Sequence, residues 1–152
     1  MARVLVVTQG GLADELARGA RTIAGPSSPI ETVSLDWNET PAESERKVAQ
    51  ALFGSLGALD ESDGPQSDPD GGVLILTDVP GGTPFNVAKK FARPGRIEVL
   101  AGVNLPMVVR LCCPGCQDYS VSELAEWLLE KGRQSISHYE PNGSRKGDRG
   151  HG

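Results

Sequence analysis

An excess of positive charge, long apolar runs and histidine are what this sequence lacks. Fifteen Lys and Arg residues stand against 20 Asp and Glu, a formal net charge of −5. Without clustered cations there is no surface to neutralise a run of phosphates, which argues against a duplex-binding protein and any nucleic-acid partner. No apolar run reaches the roughly 20 residues of a membrane-spanning helix, so no direct membrane insertion is expected. The amino terminus, MARVLVVTQGG, has one arginine and a short apolar run with no cleavage site after it. It reads as a first strand rather than a signal peptide. With no export signal and only three cysteines, the expected compartment is the cytoplasm. The two histidines, His138 and His151, both lie near the end of the chain. What is present is ordinary for one globular domain: 38% hydrophobic and 23% charged residues over 152 positions.

The chain is organised around Gly72 to Asn86, GVLILTDVPGGTPFN. Val73-Leu74-Ile75-Leu76 suits a strand buried on both faces. Asp78 stands where that strand should end, and Pro80-Gly81-Gly82 forbids a regular element. Thr83-Pro84 predicts a helix start, with Thr83 as the N-cap and proline at the first helical position. A carboxylate, a glycine-rich loop and a helix N-terminus in that order form a candidate anion site. The plain alternative is a βα turn that only reverses the chain.

Strand and helix alternate around this stretch. Arg3 to Thr8 is a second all-apolar strand, turned by Gln9-Gly10-Gly11. Leu12 to Ala24 carries Leu12, Leu16, Ala20 and Ile23 at helical spacing. Ile30 to Leu35 reads as a strand nearer the sheet edge. Thr40-Pro41-Ala42-Glu43 is a capping box opening a helix to about Leu59, with Val48, Leu52, Phe53 and Leu56 inward. Asp60 to Gly71 holds five carboxylates. Their spacing does not match a calcium loop, so a solvated connector is expected, and no metal site. The central helix runs to about Ala92, and Arg96 to Leu100 is the next strand. Met107 to Cys112 is a short helix, and Ser120 or Ser122 caps a last helix ending near Lys131-Gly132. Gln134 to Tyr139 reads as a fifth, short strand.

Residues 1–139 are thus expected to form the domain, and 140–152 a disordered tail. The fold expected is α/β: a three-layer open sheet of four parallel strands in the order 2-1-3-4. In such sheets ligands bind where connections diverge at the carboxyl ends of the central strands. Thr8 to Gly11 and Asp78 to Thr83 should meet there.

These two loops together resemble the IIA domain of the mannose-type, phosphoenolpyruvate-dependent sugar phosphotransferase system. The residues that carry the resemblance are Val7-Thr8-Gln9-Gly10-Gly11-Leu12-Ala13, then Leu76-Thr77-Asp78-Val79-Pro80-Gly81-Gly82-Thr83-Pro84-Phe85-Asn86, then Ala101-Gly102-Val103-Asn104-Leu105-Pro106-Met107. It spans about residues 2 to 138. It implies a homodimer in which the strand at Gln134 to Tyr139 can cross to the partner's sheet. It also implies a phosphohistidine relay between an HPr-like carrier and a IIB-like acceptor, with no cofactor. In that relay a carboxylate holds the histidine tautomer, and N–H groups and a hydroxyl receive the phosphoryl oxygens. Asp78 matches the carboxylate; Gly10, Gly81, Gly82 and Thr83 match the cradle. The histidine's place, however, is taken by Gln9. An amide is not a nucleophile toward phosphorus, and neither His138 nor His151 is a natural substitute. The expectation is a phosphotransferase-system domain that no longer carries phosphate and keeps a binding or regulatory role. Either the loss is natural or Gln9 is an engineered replacement; natural loss is preferred.

The other constellations are weaker. Cys113-Pro114-Gly115-Cys116 has the C-x-x-C form of dithiol sites, with Cys112 beside it. It follows a short helix rather than opening one, and three sulfurs alone make a poor zinc site. Packing cysteines are the favoured reading. The alternative function is an active phosphocarrier or redox protein using Asp78 or Cys113 and Cys116. No G-x-G-x-x-G or P-loop pattern supports a nucleotide or flavin. Trp37 and Trp127 read as packing or dimer-contact residues.

Overall fold

The computed structural model describes residues 2–26, 30–54 and 71–141. Within them the strands are β1 (Arg3–Gln9), β2 (Ile30–Leu35), β3 (Val73–Thr77) and β4 (Ile97–Ala101). They form one sheet in the order β2-β1-β3-β4, and every pairing is parallel. The expected α/β topology is the one observed.

The sheet lies between two helical layers, and alternate strand residues serve each. Val4, Val6, Leu74 and Leu76 face α1 (Leu12–Ala24), α4 (Leu105–Leu111) and α5 (Val121–Gln134). Leu5, Val7, Val73 and Ile75 face α2 (Pro41–Phe53) and α3 (Thr83–Ala88), together with Val48, Leu52 and Val87. All five residues of β3 are buried, as the unbroken apolar run requires of a strand covered on both faces.

Several helices depart from the sequence reading. On α1 the buried face is Ala13, Ala17 and Ala20, whereas Leu12 and Ile23 are exposed. Alanines let the helix lie close to the sheet, and Gly19 admits Leu105 from α4 on the same side. The start of α1 is held from the strand: the Ala13 N–H donates to the buried Thr8 Oγ1 at 2.8 Å. The capping boxes of α2 at Thr40 and Glu43, and of α5 at Ser120 and Glu123, are both formed. Of the inward residues expected on α2, Val48 and Leu52 are buried, and Phe53 packs against Phe91 with ring centroids 6.2 Å apart. Leu56 and nearly all of the acidic connector lie outside the described residues, as does the end of the 140–152 tail.

The segment expected as a fifth, crossing strand pairs with no strand of its own chain. Gln134 belongs to the last turn of α5, and residues 136–140 follow it without regular structure. The periodicity of Gln134 to Tyr139 is too short to separate a strand from a helix end that runs on past Gly132. Gly132 itself is buried against Met107, where a Cβ would meet Sδ at 2.8 Å.

Candidate functional site

At the carboxyl edge of the sheet the chain leaves β1 toward β2 and leaves β3 toward β4. This is the topological switch point where open α/β sheets bind ligands. Gln9 and Asp78 meet there, through atoms the sequence does not specify. The Asp78 carboxylate accepts the backbone N–H of Gln9 at 2.9 Å on Oδ2 and that of Val79 at 2.7 Å on Oδ1. The side chain of Gln9 turns the other way. Its Nε2 donates to the Leu35 carbonyl at 3.2 Å and to the Asp36 carbonyl at 2.9 Å, both at the end of β2. Two carbonyl partners demand the donor end of the amide, which fixes its orientation.

Two further loops are tied to this pair. Gly102 N–H donates to the Asp78 carbonyl at 2.8 Å, and Val103 N–H to the Thr77 carbonyl at 3.0 Å. Buried Thr77 donates its hydroxyl to the Leu100 carbonyl at 3.3 Å. On the other side, Gly10 N–H donates to the Leu35 carbonyl at 2.8 Å. Gly10 has φ +63°, and a Cβ there would meet Trp37 Nε1 at 3.2 Å, so only glycine admits this approach without strain.

The glycine-rich loop is compact. Gly82 N–H donates to the Val79 carbonyl at 3.0 Å, and Asn86 Nδ2 to the Gly81 carbonyl at 2.9 Å. Thr83 is not the N-cap the sequence suggests. Gly82 takes that position in an extended conformation without a side-chain cap, and Thr83 is the first helical residue. The Thr83 hydroxyl is thereby left exposed at the loop, and the N–H groups of Gly81 and Thr83 donate to no acceptor among the described residues. The helix that follows is short, six residues and a 3-10 turn over Lys89–Phe91.

The expected site residues Gln9, Gly10, Asp78, Gly81, Gly82 and Thr83 therefore lie on two facing loops. The cysteines lie elsewhere, beyond the far end of α4. Among the described residues no cluster of three His, Cys, Asp or Glu side chains could hold a metal ion. His138 follows α5 on an exposed segment, with Nδ1 3.8 Å from Glu140 Oε1. Trp37 is 78% exposed and stands over Gly10 at the rim; Leu12 at the start of α1 and Val79 after Asp78 are exposed as well. Trp127 is a packing residue, its ring 5.9 Å from that of Tyr119.

A parallel 2-1-3-4 sheet with these two loops at its switch point fits a IIA-type domain, and comparison with known proteins shows that class. The family model for EIIA-man, described as the PTS system fructose IIA component, matches residues 3–128, and the chain belongs to that family. A PTS system mannose-specific EIIAB component of Escherichia coli is 30% identical over 135 residues, covering 88% of this chain and 38% of the relative. The chain thus spans well under half the length of that relative. The mannose/sorbose specific IIA subunit from Enterococcus faecalis superposes with a TM-score of 0.71 at 24% identity, over 91% of this chain and 95% of that one. An EIIA component from Streptococcus agalactiae gives a TM-score of 0.71 at 21% identity, over 91% and 97%. At these identities the structural likeness speaks to the fold. Among the described residues no helix is long and apolar enough to cross a membrane.

Proposed function

We propose that this domain binds the protein partners of a sugar phosphotransferase relay without itself carrying phosphate. The observation behind the reading is the side chain of Gln9. It offers no nucleophilic nitrogen, and its amide is bonded to Leu35 and Asp36 carbonyls rather than aimed at the Asp78 carboxylate. The partners are HPr-like and IIB-like proteins, and the compartment is the cytoplasm. Leu12, Trp37 and Val79, each exposed and each within or close in sequence to a site loop or the end of β2, offer apolar surface for a protein partner. The role left to such a domain is regulatory: occupying a partner, or sensing its phosphorylation.

The alternative carriers are poorly placed. Each oxygen of Asp78 accepts a backbone N–H, which draws off charge and makes the carboxylate a weaker nucleophile without filling its remaining acceptor positions. Cys113 and Cys116 lie past the C-terminal end of α4, toward the opposite edge of the sheet. Incubating the chain with phosphoenolpyruvate, enzyme I and HPr and recording the intact mass tests the reading. No gain is expected. Stoichiometric gain of a phosphoryl group would make the chain an active carrier and would overturn this assignment of Gln9.

A homodimer belongs to the same reading. Ile136 and Tyr139 are 81% and 82% exposed on the segment after α5, a costly arrangement for two large apolar side chains unless a second copy covers them. The full chain is expected to sediment as a dimer at micromolar concentration, and a chain ending at Ser135 as a monomer. Equal monomeric mass for both would refute the role given to this segment.

A further inference from the structure

We infer that Cys113 and Cys116 are a reversible dithiol site, able to close a disulfide across the α4–α5 turn by exchange with a small-molecule disulfide. All three cysteines are free thiols, Cys113 exposed, Cys112 half-buried and Cys116 only 7% exposed. Pro114 and Gly115 are the two central residues of the turn that joins Cys113 to Cys116, and Gly115 has φ +115°. Proline first and a positive-φ glycine second is the pattern of a type II turn. Such a turn brings its first and fourth Cα atoms within about 7 Å. A disulfide spans about 4.4–6.8 Å between Cα atoms, so the turn holds the two cysteines close to the separation that closure requires.

The side chains agree. Cys116 Sγ points back across the turn, 3.6 Å from the Cys113 carbonyl oxygen and 3.7 Å from that of Leu111. Cys113 Sγ lies along α4, 3.6 Å from the Val109 carbonyl, and is exposed, so one χ1 rotation can carry it toward Cys116. Cys112 turns its thiol to the Val108 carbonyl and packs against the core around α4, which sets it apart from the pair. Burial, with Cys113 and Cys112 close by, holds the Cys116 thiol above the usual cysteine range. That assigns the first attack to the exposed Cys113, whose access is unhindered, and the resolving attack to Cys116.

The exchange balances in two steps. The Cys113 thiolate attacks one sulfur of a disulfide RSSR, forming a mixed disulfide and releasing RS⁻, which takes up the proton Cys113 gave up. The Cys116 thiolate then attacks the Cys113 sulfur and displaces the second RS⁻, again protonated. Two thiols become one disulfide while RSSR becomes two RSH. An excess of thiol runs both steps backwards.

The test uses the full chain, reduced, freed of reductant and incubated without air in oxidised glutathione. The expected product has lost two hydrogen atoms per chain, carries no glutathione, and by fragmentation has its bond between Cys113 and Cys116. Reduced glutathione should reverse it. Cys112→Ala should behave as the parent, and Cys116→Ser should stop at a single glutathione adduct on Cys113. A parent chain that stays fully reduced, that stops at the adduct, or that bonds Cys112 or a second chain instead would overturn the inference. Because the parent alone decides it, a variant that folds poorly does not rescue the proposal.

Discussion

Gln9→His should turn a chain that takes up no phosphate into one that accepts a single phosphoryl group from phosphorylated HPr. The other residues that match the family's motif, Asp78, Gly81, Gly82 and Thr83, are present on the loop after β3, next to residue 9. Each Asp78 oxygen accepts one N–H in the fold and can accept a second, so the carboxylate can still orient an imidazole. The Gly81 and Thr83 N–H groups and the Thr83 hydroxyl belong to the same loop as Asp78. A relay asks mainly for positioning and charge stabilisation, which these groups supply. The gain should come with a stability loss of about 1–2 kcal/mol, because Leu35 and Asp36 lose the amide that now bonds them. Intact mass reads the first effect and thermal melting the second. A folded variant that gains no phosphate would show that residue 9 is not all that separates this chain from an active carrier.

The largest stability effect is expected at Gly72, at the entrance to β3. Its φ is +81°, and an added Cβ would sit 2.8 Å from the Arg96 carbonyl oxygen and 2.9 Å from Val121 Cγ1. That carbonyl accepts the Val73 N–H at 2.8 Å, the bond that opens the β3–β4 ladder. The backbone therefore cannot move aside cheaply. Left-handed strain and the clash together should cost about 3 kcal/mol in Gly72→Ala, about 10 °C in Tm for a chain of this size. Gly11→Ala is the control: its φ is −82° and a Cβ there meets nothing within 4 Å. Its effect should stay within about 1 kcal/mol. Equal melting of the two variants would refute the close approach at Gly72.

Much of this was legible in the sequence because it rests on local rules. The apolar runs Val4–Val7 and Val73–Leu76 announce central strands, and the capping boxes at Thr40 and Ser120 announce helix starts, since each signal lies within a few residues of what it specifies. The meeting of Gln9 with Asp78 followed from topology alone. What was not legible depends on groups far apart in the chain. The direction of the Gln9 side chain is set by two carbonyls some 26 and 27 residues on, at the end of β2. Thr83 was misplaced by one residue because Gly82 can take the extended cap conformation before Pro84 as easily as a threonine can. The end of α5 was misread because Gly132, a usual stop signal, is there to make room for Met107.

The two halves of the site do not rest on equally firm ground. Asp78 extends a strand paired on both sides and buried along its whole length, and its carbonyl is pinned by Gly102. The Gln9 amide and Trp37 instead lean on β2, an edge strand paired on one side only and half-buried through Thr32, Val33 and Ser34. Fraying of that edge strand would free the Gln9 amide from its two carbonyls while Asp78, at the end of a central strand, keeps its place.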